Sequence, residues 1–257
     1  VSAAKVAATL SRSPLVVEWF GDEDLPDTRV TRAAARLPDA VITPSELVRT
    51  HARELGATAD NTRVVPESID TSLIEATEPD DRADIVYARD LDADANVQTL
   101  LLALAELRGR DWSATIVGDG PRREAAEEQA ADLRIDDRVT FTGDLDREER
   151  VAIYRGAHTF VHTAFRENFA TELLWALASG CIGIVEYQAE SSAHELIETY
   201  ERSFRATDDE ELTEAIQRAA GMDRLDRDPS LDRYDHEEVL GQYLDCYAEL
   251  REEQGLF

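Results

Sequence analysis

The sequence predicts an α/β protein built on parallel β-sheets, and three observations carry that expectation. Apolar runs of strand length alternate with runs of helix length almost from end to end of the 257 residues. The strand-length runs are continuously apolar, the pattern of strands covered on both faces. Finally, 43% of the residues are apolar, which suits a packed core despite a formal net charge of −28.

The chain opens with VSAAKVAATL, which reads as the middle of a helix; because Met222 is its one methionine, further sequence is expected upstream. Residues 15–20, 40–43 and 63–65 read as buried strands, with helices near 28–37 and 44–55 between them. In the second helix Pro44 suits the first helical position and Thr43 the cap. IEATEPDDRAD, residues 74–84, has no periodicity, a proline and a charge cluster, and reads as a linker between domains. Beyond it come strands at 85–88, 114–117, 139–142, 159–162 and 182–186. Helices are expected at 97–107, 122–133, 148–155, 170–178, 193–199 and 210–219. Such alternation implies right-handed crossovers and a parallel sheet, which binds ligands beyond the carboxyl ends of its strands. Val239, Leu240, Tyr243, Leu244 and Tyr247 have helical spacing and mark a terminal helix packed across a domain surface. The expected division is 1–75, a linker at 76–84, a domain at 85–235 and a helical segment at 236–257.

Charge excludes several functions. With 27 basic and 55 acidic residues the chain repels phosphate backbones and anionic lipids, which argues against nucleic-acid binding. No apolar run approaches the roughly 18 to 20 residues of a transmembrane segment, and no signal peptide is recognisable. A soluble, cytoplasmic protein is expected. Lysine occurs once, at Lys5, every other basic residue is arginine, and carboxylates are scattered throughout. This resembles halophilic, haloarchaeal-type adaptation, in which molar salt cuts the Debye length to about 3 Å and screens self-repulsion. Cys181 and Cys246 neither form a disulfide framework nor show metal-ligand spacing.

Three places beyond strand ends suit a phosphorylated ligand. Arg89 follows the strand IVYA, where an anion would sit. Gly118, Asp119 and Gly120 follow ATIV and turn into a helix, offering close backbone approach. Glu167, with the amides of Asn168, Phe169 and Ala170, opens the helix running to Ala178; free amides there favour a diphosphate and the carboxylate accepts from sugar hydroxyls. Asp90, Asp92 and Asp94 mimic a metal-binding DxD or a calcium loop. The loop fails because Ala95 stands for the glycine and Leu101 for the closing glutamate, and no metal or other cofactor is expected. His158, His162 and His194 read as packed rather than liganding.

In order and spacing, ADAVITPSELVRTHARELG, RVVPESIDTSLI, IVYARDLDADANVQTLLLALAEL and the run from ATIVGDGP to ASGCIGIVE resemble the C-terminal two thirds of a family 4 retaining glycosyltransferase of the GT-B fold. The resemblance implies a partial Rossmann-like acceptor domain and a whole Rossmann-like donor domain facing it across a cleft. It also implies a nucleotide-diphosphate sugar as partner and an unidentified acceptor, a glycan or a lipid-linked group. Arg89 matches the family's diphosphate-contacting arginine and Glu167 the first of its paired glutamates, which faces the transferred sugar. The nucleobase would lie against backbone at Phe141 to Gly143. Trp175 stands where the second glutamate would reach the ribose, and it either covers the ribose or fills the core. The lysine that follows the arginine in the family has no counterpart, and Phe20 or Gly21 occupies the place of an acceptor-side histidine. These departures support an alternative, a non-catalytic relative that binds a nucleotide, glycan or partner protein.

Overall fold

In the computed structural model, which describes residues 1–21, 26–253 and 255, the chain forms two compact units, Val1–Ser68 with Arg233–Phe257, and Ile69–Asp232. The first contains α1 (Ser2–Ser11), β1 (Val16–Glu18), α2 (Arg29–Arg36), β2 (Ala40–Thr43), α3 (Glu46–Glu54) and β3 (Thr62–Val64). Its sheet is parallel in the order β1-β2-β3. Side chains alternate across a strand, so the central β2 feeds two cores. Ala40 and Ile42 pack with Val65 and the C-terminal helix through Val239, Cys246 and Leu250, while Val41 packs with Ala52 and Ala57 on the other face.

The cap of α3 differs from expectation. Ser45 accepts from the Val48 amide at 3.2 Å, whereas Thr43 remains in the ladder, its carbonyl accepting from Val65 at 3.0 Å. Pairing with β3 keeps Thr43 extended, so the helix begins after Pro44 and Ser45.

The second unit runs α4 (Thr71–Ala76), β4 (Ile85–Ala88), α5 (Val97–Glu106), β5 (Ala114–Val117), α6 (Arg123–Asp132), β6 (Val139–Gly143), α7 (Arg147–Gly156) and β7 (Thr159–His162). It continues with β8 (Arg166–Glu167), α8 (Thr171–Ala178), β9 (Ile182–Glu186), β10 (Glu190–Ser191), α9 (Ala193–Ile197), β11 (Ser203–Ala206) and α10 (Asp209–Ala219). Six strands form a parallel sheet in the order β11-β9-β7-β4-β5-β6, and β8 pairs separately with β10. β4, β5, β7 and β9 are buried along their whole length, as helices on both faces require. Leu100, Leu101, Leu104, Ile116, Ile184 and Leu212 belong to one continuous core.

The expected linker at 76–84 lies inside this unit. Ile74 is fully buried, the Asp80 amide donates to the Ala152 carbonyl at 2.8 Å, and the Arg155 guanidinium holds the Thr77 carbonyl. Its charges face outward while its backbone is fastened to α7, so low periodicity here marks a surface strap. α11 (His236–Glu253) closes the chain and belongs to the first unit; of the expected segment 236–257, residues 254, 256 and 257 lie outside the described residues. Among the described residues no helix is long and apolar enough to cross a membrane.

Candidate functional site

The large sheet grows in two directions from β4, with β5 and β6 on one side and β7, β9 and β11 on the other. Loops leaving β4 and β7 therefore diverge and open a crevice at the carboxyl edge. The ladder extends one residue past β4, the Arg89 amide donating to the Val117 carbonyl at 3.0 Å, which sends the Arg89 side chain to that edge. Glu167 arrives from β8, held by its register with Ser191 and by the Ser192 amide, which donates to the Glu167 carbonyl at 2.8 Å.

Arg89 and Glu167 meet. Arg89 Nη1 donates to Glu167 Oε2 at 2.5 Å and to the Arg166 carbonyl at 3.0 Å, with 17% and 22% of the two side chains exposed. Arg89 Nη2 is 3.8 Å from Asp92 Oδ2, and Nε is buried with no partner among the described residues. A guanidinium has five N–H donors, so this one can take an anion while keeping Glu167. Ala170 opens α8 without a side-chain cap; the Thr171 amide donates to the Phe169 carbonyl at 2.9 Å, and the next two first-turn amides, of Glu172 and Leu173, have no intrahelical acceptor. The result is a pocket of about 280 Å³ whose wall includes Arg89, Asp90, Asp92, Arg150, His162, Glu167 and Glu172, together with Phe169, Ala170 and Thr171. Asn168 is half-buried between Glu167 and Phe169.

One wall holds residues that sequence reasoning missed. Glu172 accepts from Arg147 at 2.9 Å, Arg150 at 3.0 Å and the Tyr154 hydroxyl at 2.5 Å. Burial and the Glu172 carboxylate push the Tyr154 phenol well above its ordinary pKa, so it remains a donor. The available signal was spacing: Arg147, Arg150 and Tyr154 recur at three and four residues and so share one face of α7. His162 is packed, as expected, yet it also lines this pocket; burial and the Arg89 charge hold its ring neutral, with a pKa lowered to about 3.

Other expected ligands lie elsewhere. Gly118 and Gly120 have φ of +129° and +151°, and an added Cβ at either would overlap the Arg89 or Leu91 backbone. Their open faces are filled by the neighbouring loop. Asp119 Oδ1 accepts from the Gly120 amide at 2.7 Å, and the Gly143 carbonyl accepts from Gly118 at 3.0 Å. None of these four residues is on the pocket wall. Nor is Trp175, which is 5% exposed with the Arg147 guanidinium 4.8 Å over its ring. Its apolar neighbours Leu173, Leu174 and Leu177 are fully buried, and the indole follows them inward. Among the described residues no group of three or more His, Cys, Asp or Glu stands together as metal ligands would.

Comparison with known proteins gives this geometry a family. The chain is 28% identical over 159 residues to alpha-monoglucosyldiacylglycerol synthase of Streptococcus pneumoniae, covering 55% of the chain and 36% of the relative. It is 28% identical over 176 residues to an MMP alpha-(1->4)-mannosyltransferase of Mycolicibacterium hassiacum, covering 68% and 42%. The chain thus matches less than half the length of these curated relatives. Among solved structures, Anabaena HepE in complex with UDP and glucose superposes with a TM-score of 0.78 at 20% identity, covering 96% of this chain and 75% of that one. A glycosyltransferase of Rickettsia africae gives 0.78 at 15%, covering 96% and 73%. The fold is therefore of the GT-B type. Residues 69–230 match the family described as glycosyl transferases group 1, and on that match, which spans more than half of its length, the chain belongs to this family.

Proposed function

We propose that this chain is part of a glycosyltransferase that moves a hexosyl unit from a nucleotide-diphosphate sugar to a glycan or lipid-linked acceptor with retention of configuration. The observation that carries this reading is the convergence of Arg89 and Glu167 on one pocket beside the amino end of α8. Arg89 and the amides of Glu172 and Leu173 in the first turn of α8 meet the diphosphate, whose charge grows as the bond to the sugar breaks. Glu167 accepts from the sugar hydroxyls, and its ion pair with Arg89 sets both side chains before the donor arrives. The base rests against the backbone of residues 141–143. The unit of residues 1–68 with 233–257 forms the acceptor side and that of 69–232 the donor side, and the glucosyl and mannosyl names of the relatives support a hexose.

The test is incubation of the chain with UDP-glucose or GDP-mannose and candidate acceptors, with the product anomer read by proton NMR. An α product and a large loss of turnover in Glu167→Gln are expected. An inverted product removes the retaining mechanism. Trp175 favours one other reading, a binding protein without catalysis, because an indole accepts no hydrogen bond where the family has a carboxylate. Donor binding without consumption would select it. We also read the net charge of −28 as adaptation to salt. The thermal midpoint should rise from low to molar potassium chloride, and a midpoint independent of salt would remove that reading.

A further inference from the structure

β7 is buried along its whole length and ends in His162, which is 3% exposed. His162 Nε2 is shut off from solvent and has no hydrogen-bond partner among the described residues, yet His162 forms part of the pocket wall with Arg89, Arg150, Glu167 and Thr171. Other histidines differ: a ring nitrogen of His158 meets the Ala219 carbonyl, one of His194 the Ser191 carbonyl and one of His236 the Ser68 hydroxyl. Leaving a buried nitrogen unpaired destabilises the free protein, and a hydrocarbon side chain would fill the same space without that cost. A polar group so placed, on the wall of a pocket, gains its partner when a ligand enters.

The unpaired donors identify the ligand atom. Arg89 and Arg150 share the wall with four carboxylates, Asp90, Asp92, Glu167 and Glu172, and each already holds one of them. It is therefore the buried Arg89 Nε–H, without a partner among the described residues, and the amino end of α8 that call for an acceptor such as a phosphate oxygen. Burial and the Arg89 charge keep the imidazole neutral, with a pKa near 3. A neutral ring has one N–H and one lone pair, and it faces an anion favourably only through the N–H. We propose that His162 is a diphosphate-binding residue whose neutral Nε2–H donates to a phosphate oxygen of the nucleotide-diphosphate sugar. This rests on the donor-site reading above and adds to it a contact from the floor of the sheet, made by a group whose charge does not change on binding.

Calorimetry and nitrogen-15 histidine NMR on the whole chain test it, with UDP-glucose, GDP-mannose and inorganic pyrophosphate as probes. The His162 signal, assigned by its loss in His162→Phe, should move to a protonated, hydrogen-bonded Nε2 when a probe binds, while those of His158 and His194 stay. His162→Phe should weaken binding by about tenfold, and His162→Gln, which restores an N–H, should recover most of it. The free Phe variant should unfold at the same or a higher temperature, because the unpaired nitrogen is gone. Probes that bind the wild type and the Phe variant equally, with an unmoved His162 signal, would make the ring a space-filler and overturn the inference. If no probe binds the wild type, pyrophosphate included, the donor-site reading fails and the inference falls with it.

Discussion

On the β5 side of β4, the loops beyond the sheet are joined backbone to backbone. Gly118 donates to the Gly143 carbonyl at 3.0 Å, Leu91 to Asp119 at 2.8 Å and Arg122 to Leu91 at 2.8 Å. On the β7 side one backbone bond, from the Phe165 amide to the Asp94 carbonyl at 2.8 Å, joins the loops; otherwise long side chains span the gap, Arg89 to Glu167 and Arg150 of α7 to Glu172 of α8, and a pocket lies among them. Both sides share one sheet edge and one central strand. What differs is bulk: glycine lets two backbones touch and closes the crevice, whereas long polar side chains hold the loops apart and line it. A glycine-rich turn after a strand is therefore as suited to sealing a sheet edge as to receiving a ligand.

The largest expected effect lies on the sealed side. Gly118→Ala puts a Cβ into the Arg89 carbonyl at a φ of +129°, and should destabilise the fold by about 3 to 5 kcal/mol in urea unfolding. A fully stable variant would break the comparison, because the loops could then separate. On the open side, Arg89→Ala should weaken nucleotide-diphosphate binding by about 1.5 to 3 kcal/mol by calorimetry, the range for a hydrogen bond to a charged group. An unchanged affinity would move the anion site off this pocket.

Glu186, at the end of β9 on the same side, sharpens the contrast through pH. Burial raises its carboxyl from 4.5 to about 7, although Asn96 and Gln188 both donate to it at 3.0 Å. Its folded pKa exceeds the unfolded one, so the folded state holds the extra proton between those values. This contribution to stability is complete below about pH 4.5 and lost as pH rises through 7. Subtracting the stability of Glu186→Gln across that window should reveal a fall on the order of 1 to 3 kcal/mol. A flat difference would mean that Glu186 stays solvated. The smallest effect concerns Trp175: with its ring under Arg147 and off the pocket wall, nucleotide-sugar titration should change tryptophan emission alike in the wild type and Trp175→Phe. A change lost in the variant would put the indole against the ligand.

The strand-helix alternation made the large sheet legible, since continuously apolar tetrapeptides such as IVYA and TFVH have no place outside a doubly covered strand. β11 was missed because it is an edge strand, SFRA, only part of which is buried. α4 was missed because its surroundings are charged, although Asp70 caps it through the Leu73 amide at 2.9 Å and Ile74 anchors it. At the site, Arg89 and Glu167 could be named because each directly follows or precedes a recognisable element. Arg150, Glu172 and His162 could not, for they sit within elements, and which face of an amphipathic helix or end of a strand meets a pocket is settled only by tertiary packing.

The return of α11 to the first unit has a consequence for synthesis. Ala40, Ile42 and Val65 are translated long before Val239, Cys246 and Leu250, the residues that cover them. At about 5 to 20 residues per second, the small sheet waits on the order of ten seconds for the rest of its own core. The second unit is contiguous and can close during that interval, so the unit translated later is expected to fold first. A ribosome stalled before the last helix should then carry a protease-resistant second unit joined to a first unit that is still cut, with one apolar face of its sheet left for a chaperone to cover.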